Sequence, residues 1–171
     1  MTPTKLYLVG FMAAGKSTLA HALASALRWN AVDTDALVEE RQGASIAEIF
    51  ATHGEAAFRA AERTALEELA PRQQLVVATG GGLYVDPENR ALIDRDGVAI
   101  WLDVSLKRII ERLPRHGRRP LAADRVGLER LYEARKSAYR QAHLRLDADA
   151  AGPDELVERV HEWLGRQPHT K

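Results

Sequence analysis

A glycine-rich loop between a strand-like and a helix-like segment constrains the fold of this chain more than any other feature. Residues 10–18 read G-F-M-A-A-G-K-S-T, which satisfies the pattern G-x-x-x-x-G-K-[ST]. Gly10 and Gly15 allow the backbone to turn tightly enough to direct several N–H groups at one concavity. Average residue usage gives such a match in about 1% or fewer of random chains of this length. The pattern therefore predicts a phosphate-binding loop.

The segments on either side of the loop support this prediction. Lys5–Val9 is a short apolar run typical of a buried strand, and residues 17–27 carry apolar side chains at helical spacing. The loop would then lie at a helix N-terminus, where free N–H groups and the helix dipole attract anions. Lys16 would bring positive charge to the β- and γ-phosphates of a nucleotide, and the Ser17 hydroxyl would ligate Mg²⁺. An ordinary glycine turn is the disfavoured alternative.

The composition predicts one soluble domain with a substantial core. The chain has 171 residues, of which 46% are hydrophobic and 28% charged, and these are ordinary values for a globular protein. The formal net charge is zero, so no overall charge steers the protein to nucleic acid or to a membrane. The lack of cysteine excludes disulfides and thiolate metal sites. With no signal-like or membrane-spanning run, we expect a cytoplasmic enzyme formed by one domain over residues 1–171.

Strand-like and helix-like segments alternate along the chain. Further strands are predicted at 30–33, 74–78, 97–102 and 143–146. Beyond the helix after the loop, helices are predicted at 34–41, from 45 to a break at Gly54, and at 55–69, 87–95, 105–113, 126–142 and 153–164. This alternation predicts βαβ units and a parallel sheet, in which ligands bind at the carboxyl ends of the strands.

Two carboxylates follow the second predicted strand. Asp33 and Asp35 form D-T-D, and such groups hold Mg²⁺ or its waters, or accept a proton from a hydroxyl. Capping of the next helix is the alternative for one of them, but a Mg-nucleotide at the loop would need acidic partners. Asp103, which ends the fourth strand, has the same appearance. Because Asp33 already offers a carboxylate, we expect Asp103 or Ser105 to cap the following helix instead.

Three glycines and one arginine are candidates for contact with a second ligand. Gly80, Gly81 and Gly82 follow the third strand, which suggests backbone lying against a ligand, although a flexible loop is nearly as good an explanation. Arg59 lies one helical turn before Glu62, which could orient its guanidinium. A solvated pair on a helix surface is the usual meaning of that spacing.

The predicted loop over residues 113–124 is basic. Its basic residues are Arg115, His116, Arg118 and Arg119. A mobile lid that brings arginine to a transferring phosphoryl group is one function for such a loop. A solvated loop or an RNA-binding patch is the alternative, but no aromatic residues are interleaved with the basic ones, so nucleic acid is disfavoured.

Taken together, these motifs resemble the shikimate kinase family over nearly the whole chain. The resemblance rests on an ordered set: the glycine-rich loop, D-T-D at 33–35, Phe58-Arg59 with Glu62, the glycines 80–82, Arg119-Pro120-Leu121, and Arg135 four residues before Tyr139. It implies a P-loop NTPase-like α/β/α fold with a five-stranded parallel sheet of order 2-3-1-4-5. It also implies a lid and a helical substrate-binding segment over about residues 33–62.

The resemblance further implies an activity. It is the ATP-dependent transfer of the γ-phosphoryl group to the 3-hydroxyl of shikimate, which gives shikimate 3-phosphate and ADP in chorismate and aromatic amino acid biosynthesis. ATP and Mg²⁺ would be the cofactors. The protein would be a cytoplasmic monomer with shikimate as its small-molecule partner, and with no nucleic-acid or membrane partner.

The same resemblance implies roles for individual residues. The nucleotide would be held by Ala13, Ala14, Gly15, Lys16, Ser17, Thr18, Arg112 and Arg119, with Arg112 packed on the adenine. The metal would be held by Ser17 and Asp33. The acceptor would be held by Asp35, Arg59, Gly80, Gly81, Gly82 and Arg135, with the two arginines on its carboxylate. Lys16, Asp35 and Arg119 would be catalytic, Asp35 at the attacking hydroxyl and Arg119 at the transferring phosphoryl group.

Two other functions stay open at this point. A kinase for another small acceptor, such as gluconate or a nucleoside monophosphate, would share the phosphate loop, but we do not expect it to carry D-T-D, G-G-G and R-P-L in this order. A non-catalytic binding or regulatory module related to the family would have lost some of the candidate catalytic residues. All of these are present: Lys16, Asp33, Asp35, Arg59 and Arg119.

Overall fold

A parallel five-stranded sheet forms the centre of the structure, a computed structural model that describes residues 3–113 and 125–167. The strands are β1 (Lys5–Val9), β2 (Asn30–Asp33), β3 (Leu75–Ala78), β4 (Val98–Asp103) and β5 (Leu144–Asp147). The helices are α1 (Lys16–Leu27), α2 (Thr34–Gln42), α3 (Ile46–Leu69), α4 (Pro87–Asp96), α5 (Leu106–Arg112), α6 (Arg125–Tyr139) and α7 (Pro153–Arg166), with a short 3₁₀ turn at Leu83–Val85. The predicted lid residues 114–124, including Arg119, lie outside the described residues.

The strand order is β2-β3-β1-β4-β5, and every neighbouring pair is parallel. Both the alternating pattern and the order implied by the family resemblance are therefore confirmed. Strands β1 and β3 are buried at every position, as strands covered by helices on both faces must be. The loop after β1 consequently lies between the carboxyl ends of β3 and β4.

Side-chain caps begin several of the helices. Ser45 and Glu48 form the predicted capping box of α3, and Ser105 accepts from the backbone N–H of Arg108 at the start of α5. Asp103 does not cap that helix, because its carboxylate pairs with Arg145 on β5 at 2.7 Å. The cap at this position is thus made by the serine.

The predicted break at Gly54 is confirmed, and one helix boundary differs from the predicted one. Gly54 has the non-helical dihedral angles φ 81° and ψ 176°, so α3 consists of two helical segments joined by a kink at this residue. Helix α6 ends at Tyr139 rather than at Ala142. The backbone N–H groups of Gln141 and Ala142 bond three residues back, to Ala138 and Tyr139, which tightens the end of α6 into turns.

No helix within residues 3–113 and 125–167 is long and apolar enough to cross a membrane.

A buried ion pair between Lys5 and Asp96 stabilises the end of the sheet opposite the glycine-rich loop. The Lys5 ammonium, 2% exposed, lies 2.7 Å from the Asp96 carboxylate and also donates to the Ala70 carbonyl at 2.6 Å. The Tyr7 hydroxyl donates to the same carboxylate. Burial is the main cause of a raised pKa of Tyr7, and the hydrogen bond to Asp96 raises it further, so the phenol keeps its proton.

We expect Asp96→Asn to lower the free energy of unfolding by about 3 kcal/mol, because the Lys5 ammonium would stay buried without its counter-charge. Urea denaturation measures this. Glu162→Gln breaks the exposed Arg166–Glu162 pair on α7 and should cost less than about 0.5 kcal/mol. Equal losses in the two variants would show that the Lys5–Asp96 pair contributes no more than a surface contact.

Candidate active site

The glycine-rich loop, the D-T-D segment and the first glycines after β3 line one cavity of about 240 Å³. Its walls are formed by residues 12–18, Asp33, Asp35 and residues 79–81. These segments are far apart in sequence, but they follow β1, β2 and β3, which are neighbours in the sheet. The cavity therefore lies where a parallel sheet of this order binds its ligand.

Lys16 is the first residue of α1 and is only 9% exposed. Its ammonium donates to the carbonyls of Gly10 at 2.8 Å and Phe11 at 2.6 Å, and so stays within the loop. Gly15, which precedes it, has φ 97°, a left-handed conformation that glycine adopts without strain. This turn exposes the N-terminus of α1 to the cavity, where a phosphate group is favoured.

Asp33 is both a helix cap and a partner of the phosphate loop, so the two interpretations offered by the sequence are compatible. One of its oxygens, Oδ1, accepts from the backbone N–H groups of Asp35 at 2.9 Å and Ala36 at 3.2 Å. The other, Oδ2, accepts from the Ser17 hydroxyl. A hydroxyl and a carboxylate side by side are the hard oxygen ligands that Mg²⁺ takes.

No group of three or more His, Cys, Asp or Glu residues suited to a metal occurs in the described part of the chain. Such a group is not required for Mg²⁺, which commonly keeps several waters and is held by one or two protein oxygens together with substrate phosphates. The Ser17–Asp33 pair fits this mode of binding.

Arg59 and Glu62 form an ion pair on α3, with 2.6 Å between Arg59 Nη1 and Glu62 Oε2. The pair is not a solvated surface contact, because Glu62 is 0% exposed. Glu55 contacts the same guanidinium at 3.3 Å. Burial acts to lower the pKa of Arg59, but the two carboxylates outweigh it and the net direction is upward. The two carboxylates thus orient the Arg59 guanidinium and stabilise its positive charge.

A second arginine, Arg135 on α6, is 7% exposed and lies over the Phe11 ring, 5.6 Å from its centroid. Burial lowers its pKa, and the nearby positive charge of Arg59 lowers it further. Two guanidinium groups that disfavour each other's charge create a place where an anion is stabilised. A carboxylate bound between them would relieve the repulsion and replace lost water contacts.

Glu62 and Asp35 meet at Gly80. A Cβ atom on Gly80 would lie 2.7 Å from both Asp35 Oδ1 and Glu62 Oε1, so the two carboxylates face the same backbone position. Glu62 Oε1 is buried and has no hydrogen-bond partner among residues 3–113 and 125–167. Burial is the largest cause of a raised pKa of Glu62, and the nearby Asp35 charge adds to it.

The three consecutive glycines have a steric explanation. A Cβ on Gly81 would approach Arg135 Nη1 to 3.0 Å, and one on Gly82 would approach Arg59 Nη1 to 2.5 Å. None of the three has a positive φ. The backbone of residues 80–82 therefore lacks side chains because the candidate acceptor-binding side chains occupy that space, and not because of an unusual backbone conformation. The sequence suggested that this backbone lies against a ligand, and that contact stays a prediction; the structure shows the Arg135 and Arg59 side chains close to Gly81 and Gly82.

Arg112, at the end of α5, reaches the phosphate loop. Its Nη1 donates to the carbonyls of Ala13 at 3.4 Å and Ala14 at 3.2 Å. Adenine packing against this side chain stays a prediction, as does the role of Arg119, which lies outside the described residues.

Sequence reasoning gave no role to two residues that organise the site. Thr34, the middle residue of D-T-D, is fully buried and accepts from the backbone N–H of Gly80 at 2.9 Å, which ties the end of β2 to that of β3. Tyr139 entered only as part of a motif, yet its hydroxyl donates to the carbonyl of Gly81. A polar residue between two candidate carboxylates was a usable signal for Thr34.

Comparisons with known proteins agree with this geometry. The family model for shikimate kinase matches residues 12–165. A shikimate kinase of Sulfurihydrogenibium sp. is 42% identical over 163 residues, which cover 95% of this chain and 98% of that protein. A shikimate kinase of Thermus thermophilus is 41% identical over 174 residues, covering 98% and 94%.

Solved structures give the same result. The structure of shikimate kinase from Acinetobacter baumannii in complex with shikimate matches with a TM-score of 0.90 and 31% identity, and covers 98% of this chain and 97% of that one. A sugar kinase from Janibacter sp., with a TM-score of 0.68 and 17% identity, shares the fold alone. On the combined evidence of site, sequence and fold, this chain belongs to the shikimate kinase family of ATP-dependent small-molecule kinases.

Proposed function

We propose that this protein transfers the γ-phosphoryl group of ATP to the 3-hydroxyl of shikimate, giving shikimate 3-phosphate and ADP for chorismate and aromatic amino acid biosynthesis. The observation that carries the proposal is the meeting of a phosphate loop, the Asp35 carboxylate and the backbone of Gly80 and Gly81 in one cavity. Arg135 packs against Gly81, and Arg59 packs against the next residue, Gly82. A small polyhydroxylated carboxylate needs this combination: cations for its carboxylate and an acceptor oxygen for a hydroxyl.

On the acceptor side, Arg59 and Arg135 bind the carboxylate through charge-assisted hydrogen bonds. The backbone of Gly80, Gly81 and Gly82 lines the ring. Asp35 accepts a hydrogen bond from the attacking hydroxyl and so holds its oxygen in line with the γ-phosphorus. Positioning of this kind accounts for much of the catalysis of phosphoryl transfer, because there is little covalent chemistry for the protein to perform.

On the donor side, the phosphates lie in the loop formed by Ala13, Ala14, Gly15, Lys16, Ser17 and Thr18. Lys16 contacts the β- and γ-phosphates, and its charge gains importance as negative charge builds on the transferring oxygens. Ser17 and Asp33 would hold Mg²⁺, which when bound neutralises phosphate charge. Arg112 packs on the adenine, and Arg119 stabilises the transferring phosphoryl group.

We also propose that one kinase domain over residues 1–171 works as a cytoplasmic monomer, without a nucleic-acid or membrane partner. Its formal net charge of zero supports the absence of polyanionic partners.

A coupled assay of ADP release tests the proposed activity. We expect shikimate to stimulate ADP release in the presence of Mg²⁺, and EDTA to abolish the stimulation. Gluconate and nucleoside monophosphates should give no more ADP than water does. The position of the phosphate on the ring is established by NMR of the product. If another acid or a nucleotide is phosphorylated and shikimate is not, the substrate assignment is wrong.

A further inference from the structure

Ala13, in the phosphate loop, has a backbone conformation that its side chain disfavours. Its φ is 57°, in the left-handed region that glycine adopts without a steric cost. The N–H of Ala14 donates to the Phe11 carbonyl at 3.3 Å and closes a four-residue turn over residues 11–14. Ala13 is the third residue of that turn, a position where a positive φ favours glycine. The phosphate loop is therefore strained at this residue.

Strain of this kind persists only where surrounding contacts hold it in place. Arg112 supplies two such contacts, because its Nη1 donates to the carbonyl of Ala13 at 3.4 Å and to that of Ala14 at 3.2 Å. The same nitrogen lies 3.9 Å from the position of a Cβ on Gly15. One guanidinium nitrogen thus lies beside three consecutive residues of the loop.

Helix α5 carries Arg112 to the loop on a well-fixed backbone. Ile109, three residues earlier, is 0% exposed, and Ser105 caps the helix at its start. At its end, the N–H of Leu113 bonds to the carbonyls of Ile109 and Ile110. Because the backbone on both sides of Arg112 is fixed, its guanidinium can restrain the loop.

The same contacts set the direction of N–H groups in the loop. In a planar trans peptide, the carbonyl and the N–H that follows it point to opposite sides of the chain. Arg112 holds the Ala14 carbonyl on its own side, so the Gly15 N–H is directed to the other side. N–H groups directed together at one concavity are what binds a phosphate. The orientation of the anion site therefore depends on Arg112.

We propose that Arg112 is a positioning residue for the phosphate loop: its bonds to the Ala13 and Ala14 carbonyls keep the strained turn in place, so the anion site is formed before the nucleotide arrives. Preforming the loop reduces the entropy that is lost when the phosphates bind. This role goes beyond packing on the adenine, because it needs no base. The inference rests on the proposed function in one respect, since it takes this loop as the element that binds phosphate.

The probe for this role is tripolyphosphate with Mg²⁺, which has the phosphate chain of ATP but no adenine. Arg112→Met removes the donors and keeps a long apolar side chain. The Kd for tripolyphosphate, measured by calorimetric titration, should rise roughly tenfold, the scale of lost hydrogen bonds from a charged donor. The Arg112 side chain is exposed, so the core stays intact. An unchanged Kd for tripolyphosphate, with weaker binding of ATP alone, would restrict Arg112 to the adenine and overturn the positioning role.

Arg108→Met is the matched control, because it makes the same chemical change one turn earlier on α5. Arg108 is also exposed and carries the same charge. The Kd for tripolyphosphate should stay within about twofold of wild type, as for a surface substitution. An equal rise in the Arg108 and Arg112 variants would reduce the effect to the loss of one positive charge on this helix.

A double-mutant cycle with Ala13→Gly separates positioning of the loop from direct attraction between Arg112 and the phosphates. Glycine adopts φ 57° without strain, so the turn no longer depends on an external restraint. In the Ala13→Gly background, Arg112→Met should raise the Kd for tripolyphosphate by less than about threefold. A tenfold rise in both backgrounds would show that charge alone is responsible, and the positioning role would be wrong.

Thermal unfolding is recorded for every variant, and Arg112→Leu replaces the methionine variant if that protein does not fold. A wild-type protein that binds neither tripolyphosphate nor ATP would overturn the proposed function together with this inference. A wild-type protein that binds tripolyphosphate but does not phosphorylate shikimate would overturn the substrate assignment alone, and the effects of the Arg112 and Ala13 substitutions would still decide the positioning role.

Discussion

Replacing Lys16 with methionine should lower kcat by about 10³-fold while the protein stays folded. Methionine matches the length of the lysine side chain but removes the ammonium, which the loop carbonyls of Gly10 and Phe11 hold at the N-terminus of α1. The charge matters most in the transition state, where negative charge on the transferring oxygens is greatest. The loss should therefore appear mainly in kcat, measured at saturating ATP and shikimate, and less in the KM for the acceptor.

The control for this variant is Lys107→Met, the same chemical change at an exposed position on α5. It should leave kcat within about twofold of wild type, as expected for a surface substitution. Circular dichroism and thermal unfolding verify that the Lys16 variant is folded. Near-normal turnover in a folded Lys16→Met protein would exclude the phosphate-binding role of the loop.

Replacing Arg59 with alanine should weaken shikimate binding by about 100-fold, the cost of truncating one partner of a desolvated charge pair. The substitution removes a guanidinium from the acceptor carboxylate and leaves Glu62, which is 0% exposed, without its counter-charge. The affinity for ATP should change little, because the Arg59 guanidinium contacts Glu55, Glu62 and the Gly82 backbone position rather than the phosphate loop. Calorimetric titration with each ligand separately measures both effects.

Arg63 offers a closely matched control on the same helix. Its side chain is 32% exposed, as is that of Arg59, and it pairs with Asp86 at 3.2 Å and Glu88 at 2.6 Å. Arg63→Ala should therefore leave shikimate affinity unchanged, since neither Asp86 nor Glu88 lines the cavity. Equal losses of ATP and shikimate affinity in Arg59→Ala would place Arg59 outside the acceptor site.

The features that sequence predicts well here are those with a local cause. The glycine-rich loop needs glycine at two particular positions, and the alternation of apolar strands with helical segments is visible without any tertiary contact. The capping box at Ser45 and Glu48 is equally local, since it depends on groups three residues apart. The bounds of the elements were predicted to within about three residues for the same reason.

The energetic importance of an oppositely charged pair at i,i+3 or i,i+4 spacing, by contrast, depends on burial. Arg59–Glu62 and Arg166–Glu162 are both oppositely charged pairs at helical spacing, yet one includes a fully buried carboxylate and the other is exposed. Spacing alone determines that two side chains can meet. Only packing against another element determines whether the two side chains are buried. Burial in turn determines their pKa values and how much the pair contributes to stability.

Assembly of the site was likewise decided by tertiary structure. From the residues alone, D-T-D, the three glycines and Arg135 are separate signals, and their combination came from resemblance to a family. The strand order places the ends of β2, β3 and β1 side by side, and α6 brings Arg135 against Gly81. The sequence by itself determined the loop, the alternation and the caps, because these follow from local backbone and side-chain chemistry. Only the fold decided which distant side chains share one cavity and why the backbone facing them must be glycine, because such contacts depend on how strands and helices pack.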